Sequence, residues 1–372
     1  MKRISLFLLL FLLLKATVMY SQDGHPETNF RIVPVSPNAA SLGTFGMIPT
    51  DNYVGQANLT IPIYEIDLDG KKFPIALSYH TDGTRVAQEA TWIGLGWTLQ
   101  AGGCVVRQVQ GTDDFAARGC YNLTDAPWLT NPRFEVTDQN LEKYMGYFKG
   151  DYDAEPDMFY FNAGGHSGSM YFDVLKNNRQ LNAVPTIQTQ EKVVKMVYNT
   201  SNKTWTMTDL EGYVYSFSTK EITYYFLNTI DFFQTDITRS HIFPYYNEPQ
   251  IVTAWMLDSV TSPNGGKITF SYKKESIFTP ISTTEDVISL SKIVNGQLSS
   301  QSPQYFTNKF NYNYSYSKIE QWTLSAITFE GGKVEFGTTD REDIESAETG
   351  KKVQKLSSIK VSDTAGNLRS EE

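Results

Sequence analysis

Bulky residues alternate with small or charged ones at a period of two along the C-terminal half of the chain, between turns rich in Gly, Asn and Asp. The clearest case lies within residues 257–272. Ile268, Phe270 and Tyr272 fall on one strand face, Lys267, Thr269 and Ser271 on the other, after the turn at Pro263, Asn264, Gly265 and Gly266. That is the signature of a half-buried antiparallel hairpin. Residues 205–217 and 324–336 repeat the unit, and 356–368 repeat it more loosely. Residues 157–161 and 169–174 frame a further hairpin around 163–168. Spacing between copies is irregular, which excludes a solenoid of fixed period. A lone hairpin is marginal, so the pattern predicts hairpins laid side by side in one large curved sheet, with residues 276–311 bulging out as an insertion. The last hairpin, over 353–368, is expected to leave an open edge.

The N-terminal part reads differently. Residues 59–66 form a strand that Pro62 places at an edge or a bulge, Asp69-Gly70 a turn, and 73–79 the returning strand. Residues 92–107 then concentrate Trp92, Gly94, Gly96, Trp97, Gly102, Gly103 and Arg107. Glycines there let backbone pass beside the indoles and break any helix. The stretch predicts a bulged strand, a tight corner and a strand over 104–109, closing a sheet on itself. Residues 23–37 read as an extended lead-in, 38–46 as small and glycine-rich, and 116–150 as irregular. Leu141, Tyr144, Met145 and Phe148 mark one helix face there. The expected organisation is a signal segment over 1–21, a β region over 22–115, an irregular or helical insertion over 116–156, and a hairpin array over 157–372. The fold class is all-β with minor helix.

Composition sharpens this picture. The 372 residues include 22 Tyr, 22 Phe, 6 Trp and 26 Gly, a strand-rich usage. Most aromatics alternate with Thr, Ser and Lys, which suits a sheet core better than an exposed sugar-stacking surface. A formal charge of −9 argues against a nucleic-acid backbone as partner. Lys2 and Arg3 precede an apolar run over 4–14, the form of a secretory signal cut near Ser21. That run is too short for a permanent span, and no later one is long enough. The mature chain is expected outside the cytoplasm, secreted or at the cell surface. In such a compartment Cys104 and Cys120 fit either a strand-to-loop disulfide or two free buried thiols.

Candidate chemistry is sparse. His25, His80, His166 and His241 have no metal-ligand spacing with the cysteines. Asp151, Asp153, Glu155 and Asp157 alternate as calcium ligands do, but without the glycine turn and terminal bidentate Glu; a solvated acidic loop is the plainer reading. Asp113 and Asp114, adjacent in sequence, suit loop capping better than an acid–base pair. Residues 340–343 read as a surface turn with local ion pairing. No Gly-x-Ser-x-Gly elbow occurs. The glycine-rich 164–168 stretch lacks a following helix, so it reads as a hairpin turn with an exposed His166. No catalytic residue, cofactor or metal site is expected.

One set of residues carries a resemblance. Residues 37–43 (Pro-Asn-Ala-Ala-Ser-Leu-Gly), Ile61-Pro62-Ile63, Ser78-Tyr79-His80, residues 92–99, Gly102-Gly103 and Arg107 resemble the N-terminal region of RHS/YD-repeat proteins from Bacteroidetes. So do residues 155–161 and the Ser262-Pro263-Asn264-Gly265 hairpin. A narrower likeness, confined to the Gly-x-Gly-Trp-x-Leu corner, extends to the B component of insecticidal toxin complexes. The resemblance implies a β-strip spiralling into a hollow shell, structural rather than catalytic over this region. The tyrosine-aspartate repeats and toxin tail of that family are absent from this sequence. The expected role is therefore an exported scaffold or interaction surface, whose C-terminal edge a protein partner or downstream RHS-type chain covers. The alternative is a secreted adhesin or glycan-binding module.

Overall fold

The computed structural model describes residues 34–45, 58–80, 88–111, 113–116, 119–120, 141, 145, 153, 155–173, 182–183, 185–187, 194–231, 250–280, 282–289, 293–294, 297–298 and 308–371. The signal segment, His25, His241, Asp151 and most of the expected insertion lie outside them. Leu141 and Met145, within the expected helix, are helical and exposed. No helix among the described residues is long and apolar enough to cross a membrane.

Among the described residues, a short helix, α1 (Pro37–Phe45), precedes the twenty strands. The first three are β1 (Asn58–Leu68), β2 (Lys71–His80) and β3 (Trp97–Gln100). They form a three-stranded antiparallel sheet in the order β1-β2-β3. A register shift after Pro62 makes β1 both an edge strand and a bulged one. Next come β4 (Gly103–Gln108), β5 (Met158–Ala163), β6 (His166–Tyr171), β7 (Asn182–Ala183) and β8 (Thr186–Ile187). The hairpin array continues as β9 (Val194–Asn199), β10 (Thr204–Asp209), β11 (Val214–Asp231), β12 (Gln250–Thr261) and β13 (Lys267–Phe278). It ends with β14 (Ser282–Ser289), β15 (Ile293–Val294), β16 (Gln297–Leu298), β17 (Asn308–Phe329), β18 (Gly332–Asp340), β19 (Gln354–Asp363) and β20 (Leu368–Glu371). Apart from the small β15–β16 pair, these belong to one fifteen-stranded sheet.

Hairpins β5–β6, β10–β11, β12–β13, β17–β18 and β19–β20 are the units that alternation marks, and β9–β10 is a further hairpin beside them. In β13 the faces separate as the pattern demands: Ile268 and Phe270 are buried, while Lys267, Thr269 and Ser271 are exposed. Two strands are far longer than any repeat unit. β11 pairs with β12 along its first part and with β17 along its second; β17 serves β11 and β14 first, then β13 and β18. Among the described residues of 276–311, β13 runs on to Phe278, β14 lies alongside β17, and β15 and β16 pair only with each other. Residues 276–278, 282–289 and 308–311 thus continue the wall instead of bulging out. The turn of β5–β6 is also tighter than expected. It is closed by Gly164 and Gly165 alone, so His166 stands on β6, half-buried, with Nε2 3.8 Å from Asp209 Oδ2.

The large sheet buries an aromatic core on one face. Trp205 lies within 4.8–6.1 Å, centroid to centroid, of the rings of Tyr198, Phe159, Phe172 and Trp255. The three-stranded sheet covers part of this core through Ile66, Leu68, Ile75 and Leu99. Its β1–β2 turn is pinned where Lys71 Nζ meets Asp209 (2.6 Å) and Glu211 (2.9 Å) and lies over the Tyr213 ring. The opposite face, around Cys104, Val106, Ala254 and Met256, is covered by Ala39 of α1.

Arg341 contradicts its expected place in a surface turn. Its side chain is buried. Nε donates to Asp343 Oδ1 at 2.7 Å, and the Nη atoms donate to the carbonyls of Thr91 (3.3 Å) and Ala90 (3.2 Å). This ties the β18–β19 connection to the tryptophan stretch. Arg341→Leu leaves those carbonyls unpaired and is expected to destabilise the fold by about 1–3 kcal/mol in urea unfolding. A loss below about 0.3 kcal/mol, as for an exposed ion pair, would contradict the clamp.

Candidate functional site

The tryptophan–glycine stretch is a junction. Thr91 Oγ1 donates to the Trp97 carbonyl at 2.8 Å, and the Trp97 N–H donates to the Gly94 carbonyl at 3.2 Å, closing a turn around Gly96. Gly94 has φ +147°, and a Cβ there would lie 3.4 Å from the Trp97 ring. Trp92 is buried, edge-on to Phe336 at 6.3 Å; Trp97 is half-buried against Tyr79 at 5.2 Å. The Trp92 N–H donates to Asn38 Oδ1 at 2.9 Å, and its carbonyl accepts from the Leu356 N–H at 2.8 Å. The corner thus touches α1 on one side and β19 on the other.

It does not bend one sheet onto itself. β3 belongs to the small sheet and β4 to the large one, so Gly102 and Gly103 carry the chain across from one to the other. The crossing is tight. A Cβ on Gly103 would lie 2.4 Å from the Asn162 carbonyl oxygen and 2.7 Å from Ala163 Cβ.

Helix α1 locks the junction from the other face. Ser36 caps it, accepting the Ala39 N–H at 3.1 Å, and Pro37 opens its first turn. The Ser36 N–H donates to Oε1 of the fully buried Glu221 at 2.8 Å, and Thr253 Oγ1 donates to the same oxygen at 3.1 Å. Burial raises the Glu221 carboxyl above its ordinary range, and Glu221 Oε2 has no partner.

Arg107 closes the stretch. It shares a face of β4 with Val105, and that face meets the aromatic core. Its guanidinium is buried. Nε donates to Asp157 Oδ2 at 2.9 Å; Nη2 donates to the same oxygen and to Asp113 Oδ1 at 2.5 Å. Asp157 also accepts the N–H groups of Gln110 (2.7 Å) and Asp114 (3.1 Å), while its own N–H donates to Asp114 Oδ2 at 2.9 Å. Asp113 caps its loop by accepting the Phe115 N–H at 2.9 Å. Burial pushes Asp113 up, but the charge and hydrogen bond of Arg107 outweigh it and hold the carboxyl below its usual range. Asp157 is raised, because burial outweighs the arginine. Asp114 is raised furthest, by burial and then by the Asp157 charge.

No family model matches the sequence, and no curated protein is significantly similar to it. Among solved structures, the chain is similar to one in the crystal structure of TcdB2-TccC3-Cdc42, at 10% identity and a TM-score of 0.38, over 84% of this chain and 13% of that one. It is similar to a chain of the Photorhabdus luminescens Tc holotoxin pore with a TccC3 mutation, at 9% identity and a TM-score of 0.34, over 92% and 14%. For the crystal structure of TcdB2-TccC3-TEV the values are 11% and 0.30, over 92% and 14%. This chain therefore spans 13–14% of the length of those chains. At such TM-scores the likeness is loose, and the function proposed below rests on this chain's own geometry.

Both cysteines are free and buried. Cys104 faces α1 with Val106, whereas Cys120 lies by Asp114, Asp153 and Asp157, near the Arg107 side of β4. A bridge would have to pass through the strand. Burial raises both thiols, Cys120 to about 12, with the neighbouring carboxylates contributing. Of the acidic residues over 151–157, Asp153 and Asp157 are buried, so the expected solvated loop is in part an internal one. No group of three His, Cys, Asp or Glu side chains among the described residues is arranged to hold a metal ion. A cleft of about 240 Å³ separates β2 and β3 from the large sheet, lined chiefly by Ile66, Phe73, Leu99, Phe270 and Ile327. Among the described residues that line it, Lys72 is the one ionisable side chain.

Proposed function

We propose that the chain is an exported, non-enzymatic wall segment of an RHS-type β-shell, working as a scaffold whose sheet edge is covered by a protein partner or by a downstream RHS-type chain. The observation that carries this reading is the edge itself. Fifteen strands are joined in one antiparallel sheet, and β20 pairs with β19 alone among the described residues. An unpaired row of backbone donors and acceptors is a template for another strand. The residues behind the family resemblance support it: Gly103 sits where the chain crosses from the small sheet to the large one, Trp92 joins α1 and β19, and Arg107 ties the loop after β4 to the lead-in of β5. Arg107, Asp114 and Asp157 are engaged with one another beneath the surface, and none of them lines the cleft. Export is inferred from the N-terminal signal pattern. A glycan-binding role calls for a groove of exposed rings; Tyr64, Tyr79, Trp97 and Tyr160 are all half-buried.

Expression of the full chain in a bacterial host, followed by N-terminal sequencing of the extracytoplasmic fraction, tests export. The expected mature start lies near Ser21; a cytosolic product retaining Met1 would overturn that part. Native proteolysis tests the wall. Chains nicked near residue 150 should still co-elute as one body, because β4 pairs with both β5 and β12. Fragments that separate without denaturant would identify independent modules instead.

A further inference from the structure

We propose that the Asp114–Asp157 carboxyl pair is a proton-operated latch fastening the loop after β4 to the lead-in of β5. The two segments grip each other reciprocally. Each aspartate donates its backbone N–H to the other's side chain, at 2.9 and 3.1 Å, and Gln110 adds a third bond to Asp157. Asp114 is 1% exposed and Asp157 fully buried. Asp114 Oδ1 has no partner among the described residues. A charge on that carboxyl would be shared with an oxygen that neither water nor a donor reaches, whereas a neutral acid carries its proton there at small cost.

Among the described residues, the surroundings supply little to offset an ionised Asp114. From β4 comes Arg107, already engaged with Asp113 and Asp157. The β5 lead-in presents Asp157 and Asp153; the loop itself presents Asp113 and Cys120. Lys203 and Tyr198, from the β9–β10 hairpin, lie toward Asp113 and Arg107 rather than Asp114. Burial and the Asp157 charge accordingly push Asp114 up to about 8. The pair titrates as a unit. Because the folded-state value is raised, the stabilisation is complete below the ordinary carboxylate range and disappears as pH rises through about 8. Above that pH two carboxylates face each other in a buried site, and the loop must open to hydrate one of them.

Hydrogen exchange of the full chain, followed peptide by peptide from pH 6 to 9 and corrected for intrinsic chemistry, tests the latch. Protection over residues 109–116 should fall roughly a hundredfold across that range, levelling off above about pH 8, while β12 and β17 hold theirs. Asp114→Asn keeps an acceptor for the Asp157 N–H and cannot ionise, so its protection should not change with pH. Asp153→Asn keeps a side-chain acceptor for the Glu155 N–H, and removes a charge that raises Asp114. It should shift the midpoint down by about half a pH unit. Protection that is flat with pH in the unaltered chain overturns the proposal, as does a pH dependence that survives Asp114→Asn. Should Asp114→Asn not fold, an unshifted midpoint in Asp153→Asn overturns it instead.

Discussion

Arg107→Met is expected to lower the unfolding free energy by about 3–5 kcal/mol near neutral pH, the cost of leaving buried carboxylates without their cation. Asp157 is fully buried, and Asp113 is held below its ordinary range chiefly by this guanidinium. Methionine fills much of the space but donates nothing. The pH dependence identifies the cause. Without the arginine, Asp113 and Asp157 can escape only by taking up protons, so the deficit should shrink as pH falls through the carboxylate range. Adding Asp157→Asn should recover part of the loss, since Asn still accepts the Gln110 N–H without a charge. Urea unfolding of the three chains at pH 4 and 7 decides the matter. A deficit that does not vary with pH would mean that packing of the arginine stem, not its charge, was lost.

Trp205→Ala should be of similar size, about 3–5 kcal/mol, for a different reason. Trp205 is 1% exposed and touches four other rings, so truncation opens a cavity at the centre of the aromatic core. Its Nε1 has no hydrogen-bond partner, unlike Trp255, whose Nε1 donates to the Lys203 carbonyl at 2.8 Å. Trp205→Phe should therefore cost clearly less than Trp255→Phe, which also strands a carbonyl; the excess is about 1–3 kcal/mol. Equal losses for the two phenylalanine variants would show that the indole N–H groups do not matter.

The hairpins were legible because alternation and turn residues are local, as in β12–β13 and β17–β18. The lengths of β11 and β17 were not. Register shifts at Ser216/Phe217, Phe217/Thr219, Glu221/Ile222 and Ser271/Tyr272 reset the alternation, and partners such as Val106 and Ala254 are distant in sequence. Helix α1 had a signal that composition obscured: a Ser-Pro start at 36–37 is a helix opening even ahead of a small, glycine-containing run. Arg107 was legible as a problem. In Cys104-Val105-Val106-Arg107 it must share the face of Val105, and an arginine facing a core requires carboxylates. The identity of those carboxylates was not legible, because Asp157 lies fifty residues away. Arg341 was misread for the same reason: its backbone acceptors lie some 250 residues upstream. Asp113 caps its loop as its loop-capping reading expects, but the pairing of Asp114 with Asp157 was not legible, because the two are 43 residues apart.

The exchange of neighbours along β11 and β17 has a mechanical consequence. Ladder bonds run across a strand, so tension applied along β17 loads many of them at once in shear instead of opening them one by one. Because its two halves are stitched to different strands, a tear started at one end meets fresh stitching midway. β11 and β17 therefore act as splints, carrying force past the place where the hairpins on either side of them end.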